Sequence, residues 1–135
     1  MAGHSTYVQT SLANWFRGTA MPTAPASLEL ALSTVSLSDN GSNIAEPSIV
    51  NGYARQVITL TAPVHTENAG TLVQNSNSII FPTVITATWG TIVAAAVFDA
   101  VSGQMLFEGD LVAPRNGPVG DTLSFGVGTL QFRVR

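Results

Sequence analysis

The spacing of apolar residues changes once along the chain, near residue 26, and the two parts predict different elements. In STYVQTSLANWFRG, Val8, Leu12, Trp15 and Phe16 recur at helical spacing. Ser5 or Thr6 is placed to cap the start and Gly18 to mark the end, so the segment predicts a short amphipathic helix. It serves either to close one end of the core or as an arm that docks on a neighbour through its aromatic residues. TAMPTAP follows as an extended linker, because Pro22 and Pro25 push their predecessors out of helical geometry.

From there the pattern is that of strands. In SLELALS, Leu28, Leu30 and Leu32 share one face and Glu29 and Ala31 the other. SLSDNGSNIAEPSIVNG reads as a long polar loop with Asn-Gly turns at 40–41 and 51–52. In YARQVITLTA, parity places Ala54, Gln56, Ile58 and Leu60 on one face and Tyr53, Arg55, Val57 and Thr59 on the other. Tyr53 and Arg55 are therefore expected side by side. They sit either at a subunit boundary, where a guanidinium beside a phenol both pairs and stacks, or in a local pair with a residue such as Glu46.

Residues 79–98, IIFPTVITATWGTIVAAAVF, carry no charge over the length of a membrane span. Pro82, the Thr-Trp-Gly-Thr interruption and the abundance of Val, Ile and Thr instead predict two strands joined by a tight turn. TIVAAAVF lacks alternation and is expected to be central and the most buried element. QMLFEGDLV predicts Met105, Phe107 and Leu111 inward, with Glu108 and Asp110 outward. In DTLSFGVGTLQFRVR the apolar positions switch from odd (Leu123, Phe125) to even (Leu130, Phe132, Val134). The chain must turn or bulge at 126–128, leaving Arg133 and Arg135 outward. About eight strands in all predict an all-β fold, a jelly-roll-like antiparallel β-sandwich, with residues 1–26 as an N-terminal arm with a short helix and 27–135 as the sandwich domain.

Composition narrows the function. Charged residues make up 10% of the chain against 45% hydrophobic ones, where an average soluble domain carries roughly 25% charge. A surface this poor in charge favours association, which suggests a constituent of an assembly. Net charge is -3 and the arginines are dispersed, so direct nucleic-acid binding is not expected, and neither is a membrane contact. There are no cysteines to form disulfides or thiolate metal sites, and MAGHSTYVQT lacks the basic start and apolar core of a secretory signal.

Candidate chemistry is sparse. His65-Thr66-Glu67 lacks the further ligands a metal requires, and no G-x-S-x-G elbow is present. Glu108 and Asp110 share a face as any alternating strand's carboxylates do. Gly126-Val127-Gly128 lies between strands with no helix to follow, and Asn40-Gly41-Ser42 matches a glycosylation acceptor without a secretion signal. A sugar-binding or sugar-cleaving jelly roll would need aromatic residues near those carboxylates, and neither the tryptophans nor the tyrosines lie there. No catalytic residue, metal or cofactor is expected.

LANWFRGTA, PASLELALST, GYARQ, FPT, WGTIVAAAVFDAVSG, MLFEG and GDTLSFGVGTL, in this order from about Leu12 to the end, resemble a family of small phage virion proteins. These are often labelled tail fibre proteins and include jelly-roll head cement or decoration proteins. The chain departs from that pattern at Ile49 and Val50, apolar residues in a polar loop that suggest it is covered, and at PRNGPVGD, where Arg115 is the only cation. The resemblance implies a cement protein on the outer surface of the phage head. It would oligomerise and bridge copies of the major capsid protein through candidate contacts Tyr7, Trp15, Phe16, Arg17, Tyr53 and Arg55. The alternative is a tail fibre or tail adaptor module involved in host recognition. The absence of the internal repeats of a fibre shaft favours the head.

Overall fold

The computed structural model describes residues 3–134. Along the chain run β1 (Gly3–His4), α1 (Thr6–Phe16), β2 (Leu28–Ser33), a 3-10 turn at Ile49–Asn51, β3 (Gln56–Ile58), β4 (Val64–Thr66) and β5 (Gly70–Gln74). They are followed by β6 (Ile79–Ile80), β7 (Thr91–Asp99), β8 (Met105–Asn116), β9 (Ser124–Phe125) and β10 (Gln131–Val134). All paired strands are antiparallel. The helix starts where its sequence predicts: the Ser5 hydroxyl accepts from the Val8 N–H and also donates to the Met105 carbonyl, joining the cap to β8.

The fold is mostly β with one short N-terminal helix, but the strands form three sheets and not one eight-stranded jelly roll. A five-stranded sheet runs in the order β1-β8-β7-β2-β3, a three-stranded sheet β10-β5-β4, and a ribbon β6-β9. The main core gathers Leu30, Leu32, Ile58, Ile92 and Val97 of the large sheet with Ile79, Phe81, Phe125, Leu130 and Phe132 of the smaller ones. Several segments that read as full strands are short because side chains take over the backbone pairing. Buried Asn75 accepts from the Leu130 N–H and donates to the carbonyls of Asn77 and Gly126. A side chain in this role joins two sheets at a point where a ladder would have kept them continuous.

β7 is the buried centre. Alternate residues face opposite cores: Leu30 pairs Val97 and Leu32 pairs Ala95 on the main side, while Ala31 pairs Ala96 on the other. Ala31, Ala96, Phe98 and Met105 form this second cluster, with Leu37 and Ile44 of the 34–48 loop packed over it. Alanine is what a strand covered closely on both faces accommodates.

Three parity expectations fail at irregular backbone. Pairing passes from Phe98↔Met105 to Val97↔Phe107, leaving Leu106 as an extra residue, so Met105 faces the second cluster while Phe107 and Leu111 pack on the first. β3 begins only at Gln56, so Tyr53 precedes the strand and enters the main core instead of sharing a face with Arg55. The 79–98 stretch does hold two strands, but they lie in different sheets and are joined by an irregular segment in which Thr86 adopts φ 67. No described helix is long and apolar enough to cross a membrane. The switch at 126–128 does occur, with Gly128 at φ 78, and Leu123, Phe125, Leu130 and Phe132 all reach the core. Arg133 donates to the Ala69 carbonyl, and Arg135 lies outside the described residues.

Candidate functional site

Arg55 takes the partner available within the chain. Its Nε and Nη2 donate to the two carboxylate oxygens of Glu46, each at 2.9 Å, and the guanidinium lies 4.1 Å from the centroid of the Phe98 ring, with Glu29 4.0 Å from Nη1. The Tyr53 hydroxyl donates to the same Glu46 at 2.6 Å and accepts from the Leu32 N–H. Its ring is buried against Phe81 and Trp89. Burial alone would raise the pKa of Glu46, but the hydrogen bonds from Arg55 and Tyr53 and the Arg55 charge outweigh it and hold the carboxyl below its ordinary range. The bond to Glu46 in turn raises Arg55, and burial, then that same bond, raises Tyr53. The group fastens the 34–48 loop to the sheet. Tyr53 presents no ring to a partner.

The aromatic residues of α1 are arranged differently. Trp15 is 55% and Phe16 73% exposed, with ring centroids 5.6 Å apart. Arg17 is exposed beside them and donates to the Asn14 side chain. Tyr7 is half-buried two turns back, at the opposite end of the helix. The structure therefore brings Trp15, Phe16 and Arg17 together, and places Tyr7, Tyr53 and Arg55 elsewhere.

A second surface combines residues far apart in sequence. Segments 48–52, 82–90 and 117–121 meet at one end of the sandwich, braced by backbone bonds from Ile85 to Asn51, Trp89 to Gly117 and Gly120 to Val84. The Trp89 indole also donates to the Asn51 carbonyl at 2.8 Å. Close approach requires glycine at two points: a Cβ on Gly52 (φ +89) would lie 2.7 Å from the Thr83 carbonyl, and one on Gly117 2.9 Å from Trp89. On this frame Ile49 (80%), Val50 (67%), Ile85 (51%) and Val119 (56%) are exposed, and Asp121 is the only ionisable residue in the three segments. Nothing within the described chain covers Ile49 and Val50, contrary to what their place in a polar loop suggests. Ile85 and Val119 escaped the sequence reading because only tertiary folding sets them beside those two. The available signal was the pairing of branched aliphatics with turn-forming Asn-Gly and Pro-Val-Gly.

The ionisable groups form no catalytic arrangement. His65 Nδ1 lies 3.3 Å from the Thr71 hydroxyl, and no cluster of three metal-ligating side chains occurs among the described residues. Burial, then the charges of Asp39 and Asp110, hold Glu108 above the ordinary carboxylate range.

The sequence family described as Podophage GP4 fiber I protein gp80 matches residues 3–133. No curated protein matches the chain. The match overturns two expectations, the outer surface of the head as location and the major capsid protein as partner, since the family is described as one of fibre proteins. The lack of a repeat had pointed to the head. A repeat, however, marks an extended shaft, and a compact module in a fibre needs none.

Proposed function

The chain belongs to the podophage fiber I protein gp80 family, and on that premise we propose that it is a tail fibre or tail adaptor module involved in host recognition. The match over residues 3–133 carries this reading. Its mechanism is binding. The exposed Trp15 and Phe16 and the uncharged end around Ile49 and Ile85 support it, since uncharged aromatic and aliphatic surfaces are what protein contacts bury at their centres. A fibre protein is a structural component, which supports a role other than catalysis.

Two measurements test the proposal together. Gold-labelled antibody against the chain should mark the tail of intact particles, and the purified chain should adsorb to host cells and reduce phage adsorption several-fold. Label confined to the head overturns the tail placement. Label on the tail without adsorption or competition leaves an adaptor and removes direct contact with the host.

A further inference from the structure

A cleft of about 770 Å³ opens between β8 and β10, lined by two runs of consecutive residues, 109–113 and 128–133. Successive side chains of a strand point to opposite faces, so a cavity lined by every residue of a run is lined by the strand's edge, with its N–H and C=O groups. Both edges lack a described strand there. β10 is the terminal strand of its sheet, and on the open side of β8 the edge strand β1 pairs only Glu108 and Phe107. On its other side β8 also leaves the ladder: pairing jumps from Ala94↔Asp110 to Ile92↔Arg115, so residues 111–114 face β7 unpaired.

The width of the cleft follows from β1. That strand hydrogen-bonds β8 and lies against β10 as well. The space between the two is therefore one strand wide where β1 fills it, and the cleft continues that seat. We propose that the cleft takes an extended polypeptide segment of a different protein, added as a strand between β8 and β10. Its alternate side chains would meet Leu111, Phe125 and Phe132. Arg115 stands at the same cleft with its guanidinium 4.4 Å from the Phe125 ring centroid, donating to the Ser124 carbonyl and with no carboxylate paired to it among the described residues. An acidic residue in the segment complements it. A second copy of this chain does not supply the strand from its free extended stretch, residues 18–26, because Pro22 and Pro25 lack the N–H groups that two flanking edges require.

The test is amide hydrogen exchange on the full chain with an acetylated Thr-Val-Thr-Val-Thr-Glu peptide, the same peptide N-methylated at its valines, and an acidic oligosaccharide of hexuronate units. The first peptide should slow exchange of edge amides within 109–113 and 131–133 at least tenfold. N-methylation should abolish the effect, and Arg115→Gln should weaken binding while leaving the melting curve in place. Absence of slowing at millimolar peptide, equal slowing by the N-methylated peptide, or slowing by the oligosaccharide alone would each overturn the proposal, the last in favour of a sugar cleft. None of these readouts depends on where the protein sits on the particle.

Discussion

Arg55 closes a loop onto a sheet, and the chemistry that makes it look like a contact residue makes it an internal fastener. A planar guanidinium pairs bidentately with a carboxylate while lying on an aromatic ring, and Glu46 and Phe98 supply both. Removing it leaves a partly buried carboxylate with only the Tyr53 hydroxyl, so Arg55→Ala should lower stability by about 2 kcal/mol, measured by urea unfolding. The acid limb carries the same information. The Glu46 pKa is depressed in the folded state from its usual 4.5, so its stabilisation is fully present above the unfolded value and lost as pH falls through the folded one. Glu46→Gln should therefore be less stable than the parent at neutral pH and flatter below the unfolded pKa. Glu108 has the opposite sign, because burial and neighbouring carboxylates raise it. Glu108→Gln should raise the melting temperature at neutral pH, and the difference should fade as acid protonates the parent. A stabilisation that persists at low pH would mean that packing, and not charge, distinguishes the two.

At the level of elements, what was legible in the sequence is what local pattern determines. α1 has its cap, its spacing and its terminal glycine within one stretch, and β2 alternates without interruption; both are where they read. β7 was legible because three consecutive alanines fit only a strand covered on both faces. The errors fall where parity is reset by something outside the segment. Leu106 is extra because of how β7 pairs, and Tyr53 turns inward because its hydroxyl meets Glu46 and Leu32. No local pattern encodes either event. The three-sheet arrangement is of the same kind, since it depends on Asn75 bonding to backbone 51 and 55 residues away in sequence. Asn75→Ala strips the Leu130 N–H and the Asn77 and Gly126 carbonyls of that partner, and should cost about 3 kcal/mol. The denaturation midpoint should fall with the slope unchanged. A changed slope would mean that the two small sheets separate before the rest unfolds.

For the whole molecule, scarcity of charge separates folding from assembly. With 10% charged residues the chain exposes apolar groups that its own core does not need, and the two sets are distinguishable by substitution. Trp15 and Phe16 touch each other and stand largely in solvent, with no buried residue in their helix. Replacing both with alanine should change the stability of the isolated chain by less than about 1 kcal/mol, as expected of exposed positions. If they anchor the module on the particle, the same change should weaken incorporation by about 2 kcal/mol or more, a loss of roughly thirtyfold in affinity. The comparison is a melting curve of the purified variant against its copy number in virions grown from the mutant gene. Ile49→Ser with Ile85→Ser makes the parallel test of the apolar end. A variant that keeps the parent melting curve but is missing from particles, or present on them without supporting adsorption, assigns that surface to assembly or to the host. Full incorporation and normal infection with both surfaces altered would leave the cleft beside β8 as the remaining place for a partner to hold the module.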